Sequence, residues 1–146
     1  MKRSTVLVAA LVMMATMVAA CGDDTGVSID DPWSRASAST QNAGAVYMTI
    51  SSGDGDTLVG VSVDPSIAAM AELHESSMAE DGKMSMQRVP MIPVPAGGEV
   101  RLEPGGYHVM LMQLAEPLVD GSEFEVTLTF ESAGDVAVTA KVEENR

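Results

Sequence analysis

Two histidines, His74 and His108, stand in a chain of 146 residues that carries 12 methionines. Both sit among thioethers. His74 opens the stretch HESSMAEDGKMSM, residues 74–86, with Met78, Met84 and Met86; His108 lies in GGYHVMLM, residues 105–112, with Met110 and Met112. In an extended chain, side chains two apart share a face. His108, Met110 and Met112 then share one face, and Tyr107, Val109 and Leu111 the other, core-facing one. His108 and Met110 can reach one ion together. Met84 and Met86 form a similar pair, and Asp81-Gly82 is a turn signal that folds the segment back and brings His74 near one of them.

Two imidazoles and two thioethers make an N2S2 set with no carboxylate and no thiolate. Thioether sulfur is a poor ligand for Zn²⁺, Mg²⁺ or Ca²⁺ and suits Cu(I). Such a set also suits an exported protein, because thioethers cannot be lost to disulfides as thiols can. Methionine is equally a filler of core gaps. Met48, Met70 and Met91 are expected in that role, and Met78 and Met112 either in packing or beside the metal.

The elements that must position these residues are strands. From Val27 onward the hydrophobic pattern has period two rather than 3.6. FEVTLTF places Phe124, Val126, Leu128 and Phe130 on one face, VAVTAKV does the same with Val136, Val138, Ala140 and Val142, and residues 132–135 join them as a hairpin turn. AVYMTI and TLVGVSV are further strands, and EVRLEPGGYHVMLM reads as strand, Pro-Gly-Gly turn, strand. VPMIPVPAGG is too rich in proline for a central strand and suits an edge or a connection. Residues 66–72, SIAAMAE, fit either a helical turn or a strand leading into His74. About eight or nine short strands in one domain predict an all-β sandwich or small Greek-key barrel.

The first 20 residues are expected to be an export signal: Lys2 and Arg3, then an apolar run over 5–20. The run ends VAAC, which resembles a bacterial lipobox with Cys21 as the lipidated first residue of the mature chain. Residues 21–28 then form a polar tether, and 29–146 the β domain. Cys21 is the only cysteine, so the domain has no internal disulfide and no thiolate ligand. The net charge is −13, and removal of Lys2 and Arg3 with the signal takes it to −15. A surface this acidic disfavours nucleic acid and anionic lipid headgroups, leaving a lipid anchor as the expected membrane contact.

DPWSRAS, AGAVYMTI, AELHESSM, PAGGEVRLEPGGYHVMLM and VTLTFES resemble successive blocks of the periplasmic copper chaperones called PCu(A)C, over about residues 29–131. The resemblance implies a cupredoxin-like fold and a metal motif of histidine, methionine, 21 residues, then His-x-Met. Met86 and His108 are separated by 21 residues here, and His108-Val109-Met110 completes the motif. The ligands it implies are His74, Met86, His108 and Met110. One departure is that 11 residues separate His74 from Met86, one more than is usual in the family. If the turn at 80–82 does not absorb the extra residue, Met84 takes the place of Met86. The implied activity is that of a lipid-anchored Cu(I) metallochaperone. It would deliver copper by ligand exchange towards the dinuclear copper centre of cytochrome c oxidase, directly or through a thiol-bearing co-chaperone.

Other classes fit less well. A blue-copper electron carrier needs a cysteine thiolate in its site. No Gly-x-Ser-x-Gly elbow, Ser-His-Asp arrangement or metal-hydrolase spacing suggests an enzyme. The alternative is a metal-free, lipid-anchored β-sandwich that binds or adheres through its surface, with the methionine stripe as core.

Overall fold

The computed structural model describes residues 26–146. The expected signal, Cys21 and most of the tether lie outside the described residues. Within them the chain forms ten strands and no helix: β1 (Val27–Arg35), β2 (Ala43–Ser52), β3 (Asp56–Val63), β4 (Ala68–Met78), β5 (Met84–Arg88), β6 (Ile92–Val94), β7 (Gly98–Leu102), β8 (Tyr107–Leu114), β9 (Glu123–Phe130) and β10 (Gly134–Glu143). Ordered pairing with β2 begins at Val27, opposite Ser52. All ten belong to one sheet, in the order β5-β4-β8-β7-β2-β1-β10-β9-β3-β6. The sheet folds over so that β3 packs across β4, which makes two layers from one sheet.

The expected all-β architecture is present, with ten strands where the sequence suggested about eight or nine. The proline-rich stretch contributes β6, three residues long, at one edge of the sheet, where a missing N–H does least harm. The ambiguous stretch at 66–72 divides. Asp64 forms a turn, its carbonyl accepting from the Ile67 N–H and its carboxylate from the Ser66 N–H, and β4 starts at Ala68. The Pro-Gly-Gly turn does not make a hairpin. Strands β7 and β8 both run antiparallel to β2 and pair with successive parts of it, so residues 103–106 form a loop thrown out of one nearly continuous arm. Gly105, at φ 87, supplies a backbone conformation that other residues rarely adopt.

Alternation delivers the core. Val46, Met48 and Ile50 from β2, Leu73 from β4, Val109 and Leu111 from β8, and Phe124, Val126, Leu128 and Phe130 from β9 meet between the layers. Tyr107 packs partly buried against them. Met48 fills the core as expected, at 3 % exposure, but Met70 and Met91 are exposed at 44 % and 52 %. Met70 belongs to the outer face of β4, which no second layer covers, and Met91 lies in the connection before β6.

Candidate metal centre

The outer face of the β5-β4-β8-β2-β1 half of the sheet carries the candidate ligands. Register places them in rungs. His74 lies opposite His108 on β8 and opposite Arg88 on β5. Tyr47 of β2 stacks obliquely towards His108, with centroids 6.4 Å apart, and Trp33 of β1 lies opposite Tyr47 with centroids 4.8 Å apart. The two imidazole centroids are 5.9 Å apart. On one side of this rung Met110 lies opposite Ala45 and Glu72. On the other, Met86 lies opposite Ser76.

The turn sequence explains how Met86 gets there. The β4–β5 hairpin closes through the Ala79 N–H on the Lys83 carbonyl and the Gly82 N–H on the Ala79 carbonyl, with Gly82 at φ 78. Met78 and Met84 are the last opposed pair, and the loop between them is residues 79–83. Arg88, not a methionine, is directly opposite His74. Met86 sits one rung towards the tip and Met84 two rungs.

Met86, His108 and Met110 line one open pocket of about 340 Å³ together with Tyr47, Ser76 and Arg35. Small residues on β2, Ala43 and Ala45, make room beside Met110. Met112, half-buried, lies opposite Ala43 and Met70 and is not among the residues lining the pocket. Met78 and Met84 stand at the tip, 70 % and 58 % exposed.

Each imidazole has one nitrogen engaged and one free. His108 Nδ1 is 3.1 Å from the carbonyl oxygen of Gly106, which also accepts the Ser76 N–H at 3.0 Å. A carbonyl only accepts, so His108 carries its proton on Nδ1 and keeps the Nε2 lone pair available. His74 Nε2 is 3.1 Å from Glu72 Oε2, and Glu72 is in turn 3.5 Å from the Arg88 guanidinium. A carboxylate only accepts, so the Nε2 N–H donates to it. His74 Nδ1 is buried without a hydrogen-bond partner. A buried polar atom left unpaired is costly, and a metal ion is a partner that removes the cost. A hydrogen bond donated by one ring N–H to a carbonyl or carboxylate oxygen is the usual outer support of a metal-binding histidine. Among the described residues no group of three or more His, Cys, Asp and Glu could hold a metal; the sulfurs of Met86 and Met110 are the soft donors in the pocket lining with His108.

His108 is 4 % exposed. Burial pushes its imidazole below the ordinary value of 6.5; the Gly106 hydrogen bond opposes this and the neighbouring His74 adds to it. With the folded value lowered, the unfolded chain takes up the proton first as pH falls. The stability from a neutral His108 is therefore present above about 6.5 and is lost below it. An NMR titration of the metal-free protein is expected to give a His108 midpoint below 6.5; a midpoint at or above that value would contradict burial as the dominant influence. Burial likewise raises the Tyr47 hydroxyl, against the pull of Arg35, so Tyr47 remains a neutral phenol beside the pocket.

Glu72, Arg35 and Tyr47 are neighbours of the site that the pattern of histidines and methionines did not single out. Glu72 had a local signal, because it is two residues from His74 on one strand. Arg35 and Tyr47 come from β1 and β2 and are brought in only by sheet order.

The copper-bound PCuAC domain from PmoF2 superposes with a TM-score of 0.66 at 30 % identity, covering 82 % of this chain and 93 % of that one. The solution structure of CuI-DR1885 from Deinococcus radiodurans gives a TM-score of 0.60 at 30 % identity, covering 79 % and 76 %. The fold is thus shared with PCuAC domains, including copper-bound ones. "Putative lipoprotein Lxx21020" of Leifsonia xyli subsp. xyli is 34 % identical over 119 residues, 80 % of this chain and 70 % of that protein. Residues 27–142 match the family described as "Putative lipoprotein LpqE-like", and the chain belongs to that family.

Proposed function

We propose that this protein is an exported, lipid-anchored Cu(I) chaperone that holds copper with His74, Met86, His108 and Met110 and releases it by ligand exchange. One observation carries the reading: two adjacent imidazoles, each with one ring nitrogen hydrogen-bonded and the other without such a partner, stand together where His108, Met86 and Met110 line an open pocket, His74 lying beside that lining rather than in it. The similarity to copper-bound PCuAC domains supports copper as the cargo. The thioethers support Cu(I) over harder cations. The family description as a lipoprotein supports Cys21 as the anchor.

Exchange follows from the donor set. Thioethers bind Cu(I) without a charge to hold it, and Met86 is 53 % exposed. An acceptor's ligands can displace Met86 first and approach through the open side, while His108 stays supported by Gly106. The proposed acceptor is the dinuclear copper centre of cytochrome c oxidase or a thiol-bearing co-chaperone. Mixing the Cu(I)-loaded domain with an apo acceptor domain, and following copper by mass spectrometry, tests that step. Copper that stays on the donor while the acceptor takes Cu(I) from a small chelator would exclude this acceptor.

The choice of methionine has its own test. Met86→Leu is expected to weaken Cu(I) binding in the pocket about tenfold or more, and Met84→Leu to leave that affinity within about twofold, read by competition with a chromogenic Cu(I) chelator. The reverse order would move the ligand to the hairpin tip.

A further inference from the structure

The geometry points to a second Cu(I) site, made of thioethers alone, at the tip of the β4–β5 hairpin, with Met78 and Met84 as its ligands and Met86 shared with the pocket. It rests on the Cu(I) reading of that pocket and gives the pocket an entry and exit position.

Met78 and Met84 are directly opposed in register. Opposed side chains on one face of an antiparallel pair have Cβ atoms only about 4.5–5.5 Å apart, within the span that two flexible thioethers can close around one ion. The next rung inward holds Ser76 and Met86, roughly 7 Å along the strands. Three sulfurs therefore occupy two adjacent rungs of one face, and the inner one already lines the pocket.

Packing does not account for the outer pair. Both residues are mostly exposed, and neither belongs to the core nor to the partly buried residues packed on it. All five residues of β5 are exposed, and β5 is an edge of the sheet. Edge strands are normally blunted with charge or proline; on this face of β5 Arg88 supplies a charge, but the two positions nearer the tip are the thioethers of Met86 and Met84. At the turn Lys83 Nζ lies 3.4 Å from Asp81 Oδ2, and Glu80 is exposed. The tip thus offers an incoming ion two soft sulfurs without an imidazole or thiolate. Such a position selects a soft monovalent ion and holds it weakly.

Transfer inward is a ligand exchange at constant oxidation state. Bonds from copper to the Met78 and Met84 sulfurs break as bonds to Met110 and the free imidazole nitrogens form, with Met86 held throughout. No electron moves, and copper remains Cu(I) throughout.

The test is an anaerobic titration of the full mature domain with Cu(I) supplied as its acetonitrile complex, followed by NMR of methionine methyls and imidazoles. The first equivalent is expected to shift Met86, Met110 and both histidines, and the second to shift Met78 and Met84. The double variant Met78→Leu/Met84→Leu should fall from two bound copper ions to one, with the affinity of the first unchanged. Both positions are exposed and the change conserves volume, so the fold is retained. Unmoved Met78 and Met84 methyls at two equivalents would overturn the proposal. So would a double variant that keeps two ions, or Met78 and Met84 shifts that track the histidines in the first equivalent. A protein that shifts Met78 and Met84 but never its histidines would instead refute the pocket and leave the tip site standing.

Discussion

His108→Ala is expected to lower Cu(I) affinity at least about 100-fold, equivalent to about 2.7 kcal/mol, while the metal-free domain stays folded. Losing a residue that merely supports a metal ligand typically costs 10–100-fold, so removing a nitrogen ligand should cost no less. His108 is the more constrained of the two rings: it is buried, its tautomer is fixed by the Gly106 carbonyl, and it lies between Tyr47 and His74. His108→Asn in parallel separates binding from packing, since it preserves part of the volume and one polar contact to Gly106 while lacking the imidazole nitrogen. Both variants should lose copper; if His108→Asn binds as the unmodified protein does, the imidazole is not a ligand. Absence of Cu(I) binding by the unmodified domain would favour a metal-free surface module instead.

Much of this site is legible along the chain because strand alternation is a local rule. His108 and Met110 had to share a face, and Val109 and Leu111 the other, once residues 105–112 were extended. The hairpin at Asp81-Gly82 was equally local, and its register follows from loop length. What could not be read is what covers each face. Met70 and Met91 have the same side chain as Met48, yet only Met48 faces the second layer. Methionine is compatible with core and surface alike, so its identity carries no burial signal. The same holds for the strand count. β5 and β6, five and three residues long, are set by pairing with β4 and β3 rather than by their own composition. The Glu72–His74–Arg88 contacts and the approach of Arg35 and Tyr47 depend on register between strands distant in sequence.

The strand that carries half of the site should therefore separate stability from binding, one residue at a time. Leu111 is fully buried, and Leu111→Ala removes its packing between the layers. Large-to-small changes of this kind cost about 2–5 kcal/mol, against a total stability of about 5–15 kcal/mol for a domain. The expected result is a melting temperature lowered by roughly 10–20 °C, with Cu(I) affinity nearly unchanged in the fraction that remains folded. Met110, one residue away, faces the pocket beside Ala45. Met110→Ala should change the melting temperature of the metal-free protein little and weaken Cu(I) binding about tenfold or more. Copper should then raise the melting temperature of Leu111→Ala as much as that of the unmodified domain, because linkage depends on affinity and free ligand rather than on intrinsic stability. It should raise that of Met110→Ala distinctly less. If instead Leu111→Ala loses copper affinity as sharply as Met110→Ala, the two faces are mechanically coupled, and the site depends on core packing rather than on the outward side chains alone.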